Sequence, residues 1–154
     1  MPKMPPVIIA DASCLILLEK IGALDLLQQL YGQVLLTDVV AREYGRPLPD
    51  WLLVRPATDA RQVQLLELTL DRGEASTIAL ALEQPDCLLI IDERRGRAVA
   101  QRLQLAVTGT LGILLAAKRH GHLPAVGPLL KTIAATNFRL SEALVATVLH
   151  QAGE

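Results

Sequence analysis

Two short apolar runs that each end in an aspartate constrain this chain more than any other feature. They are Val7-Ile8-Ile9-Ala10 before Asp11, and Cys87-Leu88-Leu89-Ile90-Ile91 before Asp92. Neither run alternates polar with apolar residues, so each reads as a strand buried on both faces, the pattern of a central parallel strand. Parallel strands bring their carboxyl ends to one edge of the sheet, and ligands of open α/β sheets bind in the crevice outside that edge. An acid that ends such a strand faces the crevice.

The stretches between and after these runs read as helices and further short strands. Residues 15–20 continue as an apolar helix that Gly22 interrupts, and a second segment over 23–31 ends at Gly32 as a C-cap. Residues 34–36 form the next strand, and Thr37-Asp38 cap a helix over 39–44 that carries Glu43. After a turn-rich break at 45–49, residues 51–54 read as an edge strand or an irregular connector ending at Pro56. Asp59 caps a helix to Leu70; then Ala75, Ile78, Ala79 and Leu82 at helical spacing place Glu74 in the first turn of another. An arginine-rich helix with Ala98, Val99 and Leu103 as its inward stripe follows Asp92, and residues 105–108 are the next strand. Gly109 to Gly112 turn into a helix, Pro124 opens another, and the last begins at Ser141. This alternation specifies a three-layer α/β/α domain with a mostly parallel central sheet, and a length of 154 residues fits one domain over 1–154. The order of the strands is not written in the pattern.

Composition narrows the function. With 51% hydrophobic and 20% charged residues the chain can bury a sizeable core, which excludes a disordered protein. Aromatic residues make up 3%, too few for a platform that stacks single strands without sequence preference. A net charge of −1 gives no overall attraction to polyanions, so a nucleic acid would have to meet a local patch. Cys14 and Cys87 stand alone, without a CxxC spacing, and read as reduced thiols of a cytoplasmic protein. The start, Met1-Pro2-Lys3-Met4-Pro5-Pro6, reads as neither signal peptide nor membrane helix, and the apolar run at 111–117 is too short to span a bilayer. No GxGxxG, GxxxxGK[ST] or GxSxG motif occurs, which disfavours dinucleotide, P-loop and nucleophile-elbow chemistry.

The strand ends offer carboxylates instead. Each has an ordinary structural role: Asp11 and Asp92 as helix caps, Glu43 as a solvated residue, Glu74 as compensation for a helix dipole. Together, Asp11, Glu43, Glu74 and Asp92 map to one edge of the sheet. A partly buried cluster of like charges must protonate or hold a cation, and oxygen-only ligands select Mg²⁺ or Mn²⁺. Such a site suits phosphodiester hydrolysis. Ser13, two residues past Asp11, is placed to orient a ligand or water. Arg94, Arg95, Arg97 and Arg102, with Lys118, Arg119, His120 and His122, are candidate phosphate contacts, and proximity to Asp92 favours Arg94, Arg95 and Arg97.

These residues resemble the PIN-domain family. The resemblance is carried by residues 7–13, by Asp38-Val39-Val40-Ala41-Arg42-Glu43, by Arg72-Gly73-Glu74-Ala75, by residues 90–96 around Asp92, and by Thr108-Gly109-Thr110-Leu111-Gly112. It covers nearly the whole chain in order and is closest to the branch of VapC-like toxins. It implies a Mg²⁺- or Mn²⁺-dependent ribonuclease whose metal-binding and catalytic pocket is Asp11, Glu43, Glu74 and Asp92. It also implies a homodimer, an RNA substrate and, where the gene belongs to a toxin–antitoxin pair, a small antitoxin that blocks the cleft. Ala12 stands where a threonine is common and Glu93 where a second aspartate is often found; Glu74 replaces an aspartate of more typical members. The longer Glu93 side chain bears on a second metal position. The alternative is a non-catalytic PIN-like module that binds RNA or protein. A phosphoryl-accepting receiver domain needs paired acids after the first strand and a lysine after the last, and neither is present.

Overall fold

A computed structural model describes residues 6–154. The reading of the first residues as free of a signal segment rests on 1–5, outside the described residues. The described elements run β1 (Val7–Ala10), α1 (Ala12–Lys20), α2 (Asp25–Tyr31), β2 (Val34–Leu36), α3 (Asp38–Tyr44), β3 (Leu52–Val54), α4 (Ala60–Leu66), α5 (Arg72–Leu82), β4 (Cys87–Ile90), α6 (Arg94–Arg102), β5 (Ala106–Thr108), α7 (Thr110–Arg119), α8 (Gly127–Ala134) and α9 (Glu142–Gln151).

The strands form one sheet in the order β3-β2-β1-β4-β5. Every pairing is parallel, with Ile9 opposite Leu35 and Leu89, and Ala10 opposite Ile90. The mostly parallel expectation becomes all-parallel among the described strands, because Leu52–Val54, within the stretch 51–54, forms a parallel edge strand on β2 rather than an irregular connector. The chain adds β2 and β3 on one side of β1 and then crosses to place β4 on the other. The carboxyl ends of β1 and β4 therefore flank the point where the winding reverses, where α/β sheets open a crevice.

Side chains of a strand alternate between faces, and both faces here are buried. Ile8, Ala10, Val34, Leu36 and Ile90 point into a core shared with α1, α2, α3, α7, α8 and α9. Ile9, Leu35, Leu89 and Ile91 point into a second core with α5 and α6. Alternation explains why the two runs had to be apolar throughout. At roughly 1.5–3 kcal/mol for each buried Leu, Ile or Val, the two cores supply most of the drive to fold.

Some boundaries differ from the sequence reading. Helix α1 begins at Ala12, immediately after Asp11, because Asp11 itself is the cap. Helix α4 stops at Leu66, short of Leu70. The chain unwinds through turns after Leu66 so that Leu70 enters the second core while Leu65 and Leu68 stay exposed. Helix α8 starts at Gly127 instead of Pro124, since Pro128 takes the first turn, where a missing N–H costs nothing. No described helix is long and apolar enough to cross a membrane. Cys14 and Cys87 are both buried and unbridged.

Candidate active site

Asp11 leaves β1 in extended conformation (φ −85°, ψ 162°) and caps α1, its Oδ1 accepting from the Ala12 N–H at 2.9 Å. The residue is 4% exposed. Burial pushes its carboxyl up to about 7; the hydrogen bond from Ala12 opposes the shift, and the charges of Asp71, Glu43 and Asp92 add to it. Those charges come from three other segments, so the fold converges acids on the end of β1.

Glu74 sits in the first turn of α5, 5% exposed. The helix starts where it does because Asp71 caps it, Oδ1 accepting from the Glu74 N–H at 2.8 Å. The Glu74 carboxyl turns inward, and its Oε2 is buried with no hydrogen-bond partner among the described residues. A Cβ on Gly96 of α6 would lie 2.5 Å from that oxygen, so only glycine lets α6 close over it. Burial raises the Glu74 carboxyl to about 8, and hydrogen bonding and charge from Asp71 and the charges of Asp11 and Glu93 reinforce the shift.

Glu43 is exposed near the end of α3, its carboxylate against α5. A Cβ on Gly73 would stand 2.7 Å from both of its oxygens. Partial burial and Asp71 raise its pKa, and Arg72 opposes. A chain of hydroxyls ties α3 to α5. Thr37 Oγ1 accepts from the Val40 N–H at 3.1 Å and lies 2.7 Å from Ser76 Oγ, which donates to the Gly73 carbonyl at 2.8 Å. With the Ser76 proton committed to Gly73, the Thr37 hydroxyl donates to Ser76. The helix bearing Glu43 is thereby fixed to the one bearing Glu74 through buried groups that are all satisfied.

Asp92 follows β4. Alternation turns Ile91 toward α5 and α6 and Asp92 toward α7. There its Oδ1 accepts from the Thr110 N–H at 2.8 Å and its Oδ2 from the Thr110 hydroxyl at 2.6 Å. Asp92 thus satisfies the N-terminus of α7 rather than that of α6, whose cap position, Glu93, makes no side-chain bond.

The four acids singled out in the sequence lie around the same edge. Asp71 is a fifth that sequence reading missed; its signal was the Asp-x-x-Glu spacing of a capped helix, read only for Glu74. Glu93, Arg94 and Arg95 share with Asp71 and Glu74 an open cleft of about 640 Å³. Arg97 instead anchors on the Ile91 carbonyl beside Asp92 at 3.2 Å. Lys118 is taken up by Glu154 at 2.9 Å, and His120 Nδ1 lies 2.9 Å from the Ala116 carbonyl, which draws both away from a phosphate role.

The profile of a family described as a PIN domain matches residues 7–154. This chain belongs to the PIN-domain family. PIN domains are generally nucleases, and the family points to nucleic acid as the class of partner. No curated protein matches the chain with significant similarity.

PIN domains typically use divalent metal ions. Among the described residues no three acid, histidine or cysteine side chains surround one point as ligands of an ion. The chemistry of the donors nonetheless fits a hard cation: they are all oxygen, and the buried Glu74 Oε2 lacks any other partner.

Proposed function

We propose that this PIN domain, acting as one unit over residues 1–154, is a Mg²⁺- or Mn²⁺-dependent endoribonuclease. The observation that carries the reading is the unpartnered Glu74 Oε2, buried close to Asp11 at the point where the sheet's winding reverses. Two buried acids raised to about 7 and about 8 are unfavourable as anions without a compensating charge, which makes the edge receptive to a cation. Asp11, Glu43, Glu74 and Asp92 would hold it. A divalent ion there supplies charge neutralisation for the phosphoryl oxygens and lowers the pKa of water. Arg94 and Arg95, lining the cleft beside Glu74, bind phosphates of the strand, and Ser13, exposed in the first turn of α1 two residues past Asp11, is assigned the orientation of water or ligand.

The resemblance to VapC-like toxins supports a toxin role in the cytoplasm, with a homodimer as the working form and a small antitoxin as inhibitor. Growth arrest on expression, relieved by the product of an adjacent small gene, is the outcome expected of a toxin.

The second reading, a non-catalytic module that binds RNA or protein, draws on the two hydrogen bonds that already occupy Asp92 and on the lack of a closed ligand set. Divalent-dependent cleavage of a mixed RNA panel by wild type and Asp11→Asn, with folding followed by circular dichroism, separates the two. Cleavage lost in a folded variant supports the nuclease. Undiminished cleavage by the folded variant sinks the assignment of Asp11, and Mn²⁺ binding without turnover in either protein favours the module.

A further inference from the structure

On the α7 and α9 side of Asp92 lies a cavity of about 370 Å³, apart from the cleft that holds Glu74. Its inner corner is polar, formed by Asp92 and Arg97. Its walls are apolar, with Leu111 and Leu115 from α7, Leu144 from α9 and the ring of Phe138 from the segment that leads into α9. Gln151 stands at the rim, exposed.

The corner is kept open by a glycine. A Cβ on Gly109 would lie 2.7 Å from both Arg97 Nη1 and Asp92 Oδ1, so any side chain there would fill the space between cation and acid. Arg97 is held by its bond to the Ile91 carbonyl and makes no ion pair among the described residues. A guanidinium carries five N–H donors. Those not spent on Ile91 leave Arg97, beside the Asp92 end of the carboxylate edge, able to bind a further acceptor.

We propose that this cavity receives an unpaired nucleobase of the RNA, one nucleotide from the scissile bond, with Arg97 on its phosphate, Phe138 against its face and Gln151 at its edge. The assignment deepens the nuclease reading and rests on it for the identity of the strand. Three features favour a base over an aliphatic side chain. The cavity shares Asp92 with the carboxylate edge, so a strand laid along that edge passes its mouth. It joins a guanidinium that makes no ion pair among the described residues to apolar walls, which matches a nucleotide's phosphate and ring. Its volume falls in the range of small-ligand pockets, roughly 300–1,000 Å³. RNA is read by sequence chiefly through unstacked bases laid on aromatic rings and hydrogen-bonded at their edges, and Phe138 with Gln151 supplies one of each. The low aromatic content that excludes a general stacking platform is compatible with capture of a single base.

The test is equilibrium binding of short RNA homopolymers, U, A, C and G in turn, to the full chain in EDTA, where the proposed cleavage does not proceed. Wild type is expected to favour one base. Phe138→Ala is expected to weaken that binding roughly 5- to 150-fold, the range of lost base–aromatic stacking, and to erase the preference. Phe138→Tyr should retain both, and Gln151→Ala should change the preference with a smaller loss of affinity. Should Phe138→Ala fail to fold, Phe138→Tyr and Gln151→Ala carry the test. Equal affinity for all four homopolymers, unchanged in Gln151→Ala, overturns the proposal. So does a wild-type dimer in sedimentation that Leu144→Asp converts to monomer with RNA binding intact, since a second copy would then occupy the cavity. Base-selective binding without any cleavage in Mn²⁺ leaves the subsite standing and the nuclease reading fallen. Cleavage without base selectivity does the reverse.

Discussion

Glu74 and Asp92 stand on opposite faces of the same sheet edge, and the fold treats them in opposite ways. Glu74 lies under α6 with one carboxylate oxygen unpartnered, and burial lifts it to about 8. Asp92 lies under the N-terminus of α7, where Thr110 supplies a backbone and a hydroxyl donor to its two oxygens. The two acids, one after a strand and one in the first turn of a helix, differ because a helix N-terminus points at Asp92 and a glycine Cα covers Glu74. The difference teaches where function is stored. The bonds from Thr110 orient Asp92 and tie α7 to the edge, whereas nothing among the described residues offsets the burial of the Glu74 oxygen.

The sharpest way to break this comparison is Glu74→Gln. Divalent-dependent cleavage should fall roughly 10²–10³-fold, as expected on losing one well-placed electrostatic group, while the EDTA-treated protein becomes more stable at pH 8. Activity lost together with stability would mean that Glu74 acts through the fold and not through a ligand.

A pH series gives the next largest effect. Asp11 rises from 3.8 to about 7 on folding, so between those values the folded state binds more protons than the unfolded state. Stability in EDTA therefore declines as pH rises from about 4 to 7, with the decline running on to about 8 through Glu74, and it is greatest below pH 4 as far as these two groups are concerned. For Asp11 the shift corresponds to at most about 4 kcal/mol at 1.36 kcal/mol per pH unit. Chemical denaturation at several pH values measures it. Asp11→Asn should flatten the slope, and a stability that instead rises from pH 4 to 8 would contradict the desolvation of both acids.

Two glycines sharpen the comparison further. Gly96→Ala places a methyl 2.5 Å from the buried Glu74 Oε2 and 3.1 Å from Ile91 Cγ2, and should cost about 1–3 kcal/mol by denaturation. Gly73→Ala, also a buried position, meets only the far end of the exposed Glu43 side chain, so a change within about 1 kcal/mol is expected, the scale of a glycine-to-alanine exchange in a helix. Equal costs at the two positions would show that Glu74 is free to move aside.

The smallest effect tests Asp92. Thr110→Val removes the hydroxyl donor at 2.6 Å and keeps the backbone one at 2.8 Å, which should cost about 0.5–1.5 kcal/mol in thermal unfolding. A gain in stability would place Asp92 with Glu74 as an unsatisfied group.

The sequence by itself determined the two central strands, their burial on both faces and the aspartates that follow them. Runs such as Val7–Ala10 and the approach to Asp92 have no polar face to show solvent, so no other placement was open to them. That Asp11 and Asp92 share an edge was legible because parallel strands bring their carboxyl ends together whatever their order, and Glu43 and Glu74 stood as candidates on the helices beside it. Only the tertiary structure decided that β1 and β4 are neighbours, that Asp92 accepts from Thr110 eighteen residues away and that Asp71 joins the acids. The same holds for the bare Cα of Gly96 that buries Glu74. The physical reason is range. Periodicity and capping are written in neighbours a few residues apart, whereas the pairing of a carboxylate depends on which distant donor the packing of helices brings within hydrogen-bond reach.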